Sequence, residues 1–142
     1  MAGYLWQLGL EEFGMITDNT VHHTLIVDDE RDICFLLKVI LGRRNTSVSC
    51  ANSIAEAKTE LARQVPDVLF LDNCLPDGLG IEFIHFVKEK CPDADIVVIS
   101  AHDNIGNQLK AITLGAKKFL PKPLNVDDLD HTIQQLYGVL GA

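Results

Sequence analysis

The sequence predicts an α/β fold: a doubly wound, five-stranded parallel sheet in strand order 2-1-3-4-5, with helices on both faces. Three observations predict it. From Thr24 onward, short apolar runs alternate with segments of helical period. Three of the runs, TLIV (24–27), DVLFL (67–71) and IVVIS (96–100), are apolar nearly throughout, as strands buried on both faces are. The other two, TSVSC (46–50) and KKFLP (117–121), are more polar or shorter. They suit the sheet edges, which puts strands 2 and 5 outermost.

The elements follow in chain order. Residues 1–23 read as an N-terminal extension of low order, with scattered aromatics in YLWQLGLEEFGM and a turn-like TDNTVHH. His22 and His23 are expected to be a solvated pair ahead of the first strand. Ile33, Leu36, Leu37 and Ile40 share the face of a first helix. Ile54, Ala57, Leu61 and Val65 share the face of a second, behind a capping box of Ser53 and Glu56. Residues 81–90 supply a third helix. Ile105, Leu109 and Ile112 form the thin apolar stripe of a fourth. Val126, Leu129, Ile133, Leu136 and Leu140 form that of a fifth, after an N-cap at Asn125. No repeat, linker or low-complexity stretch interrupts residues 24–142, which are expected to be one domain.

Composition narrows the function classes. The formal net charge of −8 over 142 residues repels phosphate backbones, so nucleic acid is not an expected direct partner. No run approaches the roughly 18 apolar residues of a membrane span, and the N-terminus lacks the basic head and apolar region of a signal peptide. Cys34, Cys50, Cys74 and Cys91 form no C-x-x-C pair, which fits reduced thiols in a cytoplasmic chain.

In an open parallel sheet, ligands bind beyond the carboxyl ends of the strands. There the sequence places Asp28, Asp29 and Glu30 after strand 1, Asp72 at the end of strand 3, Ser100 at the end of strand 4, and Lys122-Pro123 after strand 5. Each alone is ordinary: an acidic pair complements a helix N-terminus, a serine caps, a lysine is solvated. Together they are a specific set. Two unit charges ~5 Å apart repel by roughly 3 kcal/mol at an effective dielectric near 20, and a cation relieves that. Oxygen ligands without a His or Cys set suit Mg²⁺, which also takes phosphate oxygens. A metal, a carboxylate nucleophile, a hydroxyl and a lysine are what phosphoryl transfer needs.

The motifs LIVDDE, LFLDNCLPDGLG, VVISAHD and FLPKP occur in an order and spacing that resemble the receiver domain of two-component response regulators, from Thr24 to about Tyr137. The resemblance implies a flavodoxin-like fold and a receiver domain over residues 24–142 with no output domain. It implies Asp72 as the phosphoacceptor, with Mg²⁺ held by Asp28, Asp29, Asp72 and the main-chain carbonyl of Cys74. Ser100 would be the hydroxyl that reorients toward the phosphoryl group, Lys122 its cationic partner, and Phe119 the aromatic switch residue, in place of the commoner tyrosine. The Lys122–Pro123 bond would be cis. Such a domain is regulatory rather than an enzyme, and catalyses only its own phosphorylation and dephosphorylation. Its expected partners are a sensor histidine kinase or phosphotransfer protein as donor, a downstream protein target, and a second copy of the chain as a candidate. The output surface would be the fourth helix, fifth strand and fifth helix.

Three other readings use the same residues less well. A pseudo-receiver, a binding module that never takes phosphate, should have lost one of the acid pair, Asp72 or Lys122, and none is lost. An aspartyl phosphatase needs a second Asp two positions after the nucleophile, where this chain has Cys74. A nucleotide binder needs a glycine-rich loop after strand 1, where DDERD stands instead.

Overall fold

A computed structural model describes residues 21–102 and 104–138. The strands β1 (His23–Val27), β3 (Val68–Asp72) and β4 (Asp95–Ser100) are rich in aliphatic and β-branched residues whose side chains alternate between the sheet faces. Leu25, Val27, Leu69, Leu71, Ile96 and Val98 join one core and Ile26, Val68, Phe70, Val97 and Ile99 the other, each at most 1% exposed. β2 (Ser47–Ala51) and β5 (Lys118–Pro121) are the less buried strands. The five pair in parallel in the order β2-β1-β3-β4-β5, the predicted architecture. Helices α1 (Arg31–Leu41) and α5 (Val126–Tyr137) cover the Phe70 face. Helices α2 (Ile54–Arg63), α3 (Gly80–Lys90) and α4 (Ile105–Leu114) lie over the Leu69 face. A separate two-residue antiparallel ladder joins Cys74–Leu75 to Gly78–Leu79 in the loop after β3.

The helix caps form as the residue types dictate. Ser53 Oγ accepts from Glu56 N at 3.1 Å, and Asn125 Oδ1 accepts from Asp128 N at 3.1 Å. The Glu56 carboxylate reaches past the cap to Asn52 N at 2.8 Å, a variant of the expected box.

Expectations at His23, Val65, Val126 and α4 need correction. His23 is not solvated: it opens β1, is 2% exposed, and its Nδ1 lies 2.7 Å from Ser47 Oγ. Burial pushes its pKa down against the hydrogen bond to Ser47. His22 N and His23 N both donate to Asp67 Oδ2, so a carboxylate pins this strand start, and Val21 is already buried. Residues 1–20 and Leu140 lie outside the described residues. Val65 is 62% exposed, because α2 ends before it. Pro66 disfavours a helical residue ahead of it, and Gln64 is already extended. Val126, in the first turn of α5, is also exposed at 69%.

The largest departure is α4. Its apolar stripe does not face the core: Ile105, Leu109 and Ile112 are 74, 62 and 48% exposed. The only α4 residue fully sequestered among those described is Ala111. A small side chain anchors the helix, and the larger ones are presented outward.

One glycine is required by contact rather than by backbone angle. A Cβ on Gly80 would sit 2.2 Å from the Asp72 carbonyl oxygen and 3.0 Å from Leu71 Cγ. The start of α3 thus packs directly on the backbone of the residue that ends β3. Gly80→Ala is expected to destabilise the fold by about 1–3 kcal/mol, the usual range for overpacking, since backbone must move. Gly42→Ala, whose Cβ meets its closest neighbour at 3.3 Å, is expected to change stability far less. Urea unfolding of the two variants checks this, and equal midpoints would show that the β3–α3 contact yields freely.

Candidate functional site

Because all five strands run the same way, their carboxyl ends share one rim. The central pair β1 and β3 delivers Asp28 and Asp72 side by side, 1 and 3% exposed. Asp28 directly follows β1 and is fixed through its backbone, with its N–H donating to Ala51 O at 3.0 Å. Its Oδ1 accepts from Glu30 N at 2.8 Å. Asp72 Oδ1 accepts from Cys74 N at 3.3 Å. Asp29 is exposed beside them, and Asp28, Asp29 and Asp72 each offer a carboxylate oxygen within 4.8 Å of the others.

Lys122 answers this charge from β5, two strands away from β3. Its backbone N–H donates to Ser100 O at 2.8 Å, which ties the end of β5 to that of β4. Its Nζ lies 3.1 Å from Asp28 Oδ2, 3.2 Å from Glu30 Oε2 and 3.5 Å from Asp72 Oδ1. The approach to Asp28 is an ion pair without hydrogen-bond alignment, and Asp28 Oδ2 is left as a buried oxygen with no donor. The Lys122–Pro123 peptide bond is cis.

One ammonium among these acids leaves an excess of negative charge, and the titration behaviour follows. Burial, then the Asp28 charge, push Asp72 from 3.8 up to about 6, against the pull of Lys122. Burial raises Asp28 as well, opposed by its hydrogen bond from Glu30 N and by Lys122. For Lys122 burial favours the neutral amine, but Asp28, Asp72 and Glu30 together outweigh it and raise the pKa.

Of the remaining expected residues, Ser100 and Cys74 follow the strand ends, and Phe119 stands two residues back along β5, opposite Val98. Ser100 is fully buried at the end of β4, and its Oγ accepts from His102 N at 3.0 Å. Phe119 on the edge strand β5 is half-buried against the core on the α4 side. Cys74 is exposed in the short ladder after Asp72.

Three sets of contacts at this end of the sheet lay beyond the sequence reading. Glu30 is a direct partner of Lys122. Asn73 is 5% exposed and closes the loop, its Oδ1 accepting from Ile81 N at 2.9 Å and its carbonyl from Gly80 N at 2.8 Å. Asp77 reaches across to the first turn of α2, accepting from Ile54 N at 2.8 Å and Ala55 N at 3.0 Å. An Asx residue at each end of a Leu-Pro turn was the available signal for the last two.

Comparison with known proteins gives the family of the chain. Residues 24–134 match the model of the response regulator receiver domain family. Response regulator protein PilR of Pseudomonas aeruginosa is 35% identical over 105 residues, which are 74% of this chain and 24% of that protein. The chain thus spans about a quarter of the length of the curated regulators it matches. The beryllofluoride-activated NtrC4 receiver domain dimer has a TM-score of 0.75 and 36% identity, covering 81% of this chain and 95% of that one. A response regulator protein from Burkholderia pseudomallei, solved with a phosphorylated aspartic acid, calcium ion and citrate, has a TM-score of 0.72 and 26% identity. There the match covers 81% of this chain and 66% of the other. With its fold, its acidic rim and a family match over most of its length, the chain belongs to the receiver domains of two-component response regulators.

Proposed function

We propose that this receiver is a phosphorylation-activated switch that takes a phosphoryl group on Asp72 and passes the change to a partner through α4, β5 and α5. The observation that carries the reading is the convergence of Asp28, Asp29 and Asp72 within 4.8 Å under a single lysine. The donor is a phosphohistidine of a sensor kinase or phosphotransfer protein. An Asp72 carboxylate oxygen attacks phosphorus in line, the P–N bond breaks, and its electron pair stays on the imidazole of the donor. Asp72 is held rigidly for this by β3 and by the Asn73–Gly80 loop. Lys122 stands ready to neutralise the transferred oxygens, and Ser100 offers its hydroxyl at the next strand end.

The donor set suits Mg²⁺. Asp28, Asp29, Asp72 and the Cys74 carbonyl are all oxygen ligands, and the three carboxylates, each with an oxygen within 4.8 Å of the others, carry more negative charge than the Lys122 ammonium neutralises. When bound, Mg²⁺ supplies positive charge that lets the acids ionise together and shields the phosphoryl oxygens.

The output reading rests on α4. A helix that exposes Ile105, Leu109 and Ile112 offers an apolar surface on the segment that follows Ser100. The NtrC4 neighbour is a dimer in its beryllofluoride-activated form, which makes a second copy of this chain one candidate partner beside a downstream target. We assign the cytoplasm as the site of action, on the unpaired cysteines; no helix among the described residues is long and apolar enough to cross a membrane.

Three outcomes test this. Incubated with a small-molecule phosphodonor and Mg²⁺, the protein is expected to gain a base-labile, acid-stable label that Asp72→Asn abolishes, because an amide does not attack phosphorus. Undiminished labelling of that variant in intact-mass spectra would place the phosphoryl group elsewhere.

In chelator, an Asp72 that titrates near 6 when folded and near 3.8 when unfolded binds more protons in the native state between those values. Its contribution to stability is therefore present in full at low pH and is lost as pH rises through about 6, by roughly 3 kcal/mol at most. Asp72→Asn is expected to flatten that fall, and Mg²⁺ to stabilise the wild type increasingly toward neutral pH. Melting curves from pH 4 to 8 with and without metal read both, and superimposable wild-type and variant profiles would sink the assignment of the buried acid.

Leu109→Ala is expected to shift stability by no more than about 0.5 kcal/mol, as an exposed position does, yet to weaken phosphorylation-dependent association. Sedimentation of the phosphorylated protein, alone and with its target, distinguishes this from an inert surface.

A further inference from the structure

Helices α2 and α3 are neighbours on the Leu69 face, and between them lies a cleft of about 250 Å³ lined by Lys58, Leu61, Ala62, Phe86 and Lys90. Its floor is Phe86, half-buried and stacked on the buried ring of Phe83 at a centroid distance of 5.4 Å. Two ammonium groups stand over that one ring: Lys58 Nζ is 4.9 Å and Lys90 Nζ 5.7 Å from its centroid. Neither is in an ion pair with a carboxylate of the described residues. Asp77, whose carboxylate feels Lys58, is already held by Ile54 N and Ala55 N. The groove between α1 and α5 differs, because there Arg43 and Arg44 share the lining with Asp127 and Asp130.

The N-terminus supplies the charge that the cleft lacks. Residues 1–20 contain Glu11, Glu12 and Asp18 and no Lys or Arg, and the two glutamates stand between Leu10 and Phe13. The segment also joins the domain at the matching end. Each helix of a parallel sheet returns the chain to where the strands begin, so the last turns of α2 and α3, with Leu61, Ala62 and Lys90, lie there. β1 starts at that end: His22 N and His23 N donate at 2.7 and 3.1 Å to Oδ2 of Asp67, shortly after α2. Val21 packs in the core of the opposite face, so the chain has to pass beneath the strand starts to reach the cleft. The residues from Phe13 to Val21 span up to about 26 Å when extended, against ~10–12 Å for the diameter of a helix.

We propose that the segment Leu10-Glu11-Glu12-Phe13 docks in the α2–α3 cleft of its own chain, with its two carboxylates on Lys58 and Lys90 and an apolar neighbour against Phe86. The cleft selects such an occupant in two ways. It has room for one large side chain rather than for a helix, and its walls are cationic. An acid next to an apolar residue meets both conditions at once. Exposed ion pairs are individually weak, but a short tether presents the segment at high effective concentration. The cleft is at the end of the sheet opposite the acidic rim, so docking there does not touch the phosphoryl-transfer residues.

Lysine footprinting of the full chain tests this without any phosphoryl donor. Brief acetylation with an N-hydroxysuccinimide ester, read by peptide mass spectrometry, gives the reactivity of each lysine. In Glu11→Gln/Glu12→Gln, Lys58 and Lys90 are expected to react roughly twofold or more faster than in the wild type. Lys38 and Lys110, exposed on other helices, are expected to be unchanged. High salt narrows the difference, since exposed pairs are screened. Carbodiimide coupling of a mixture of isotope-labelled and unlabelled wild type is expected to join Glu11 or Glu12 to Lys58 or Lys90 within single chains. Equal reactivity of Lys58 and Lys90 in wild type and variant would overturn the proposal. So would cross-links that join labelled to unlabelled chains, which would give the cleft to a second copy.

Discussion

The rest of this molecule is arranged around two carboxylates that are held side by side and nearly out of water. Asp28 and Asp72 are 1 and 3% exposed, and one ammonium group, shared with Glu30, is the cation set against them. Parallel topology is what makes this possible. It stacks the ends of adjacent strands at one rim, so the last residues of β1 and β3 must meet. It also leaves the cation to come from further away. Lys122 stands beyond β5 and reaches past the end of β4, where the short, buried Ser100 leaves it room. A pair of like charges costs roughly 3 kcal/mol at ~5 Å under moderate screening. The shared lysine offsets part of that; burial first, and then the Asp28 charge, leave Asp72 with a raised pKa. This is strain kept in reserve at a site, held by two hydrophobic cores that do not depend on it.

The loop after β3 keeps the strained acid in place. Its polar residues serve the backbone rather than the solvent: Asn73 ties the loop to the start of α3, and Asp77 ties it to the start of α2. Gly80 lets α3 begin against the carbonyl of Asp72 itself. Displacement of Asp72 along its strand would thus have to disturb two helix N-termini at once. Preorganisation of this kind is how a fold fixes a side chain without burying it beyond reach.

Much of this was readable in the sequence. The three apolar runs and two mixed ones specified the sheet and its order, because burial on both faces needs side chains without charge. The rim acids and Lys122 were legible for a topological reason: strand ends of a parallel sheet must converge. What was not legible depended on distances between loops. Glu30 reads as an ordinary acid at a helix start until Lys122 is seen 3.2 Å away. Asp77 reads as a turn residue until α2 is seen across from it. The α4 stripe misled for another reason. Helical period reports that apolar residues share a face, but not whether that face meets a core or water. His23 misled in the same way, since a polar residue at a strand start reveals nothing of the strand that will cover it.

The exposed face of α4 also bears on the energetics of the proposed switch. Moving a two-state element from one population to the other takes about 5.5 kcal/mol of differential binding. A phosphoryl group on Asp72 that recruits Ser100 and Lys122 gains two charge-assisted contacts, each on the order of 1.5–3 kcal/mol. That supply suffices only if the element to be moved is weakly held. A helix buried along its Ile105, Leu109 and Ile112 side would have cost about 1.5–3 kcal/mol for each of these side chains to expose. Here those side chains are already largely outside, and α4 is anchored chiefly through Ala111. On the proposed reading the same feature lowers the cost of displacing the helix and provides the apolar area that a partner covers, and phosphorylation at the rim and binding at α4 are two terms in one equilibrium.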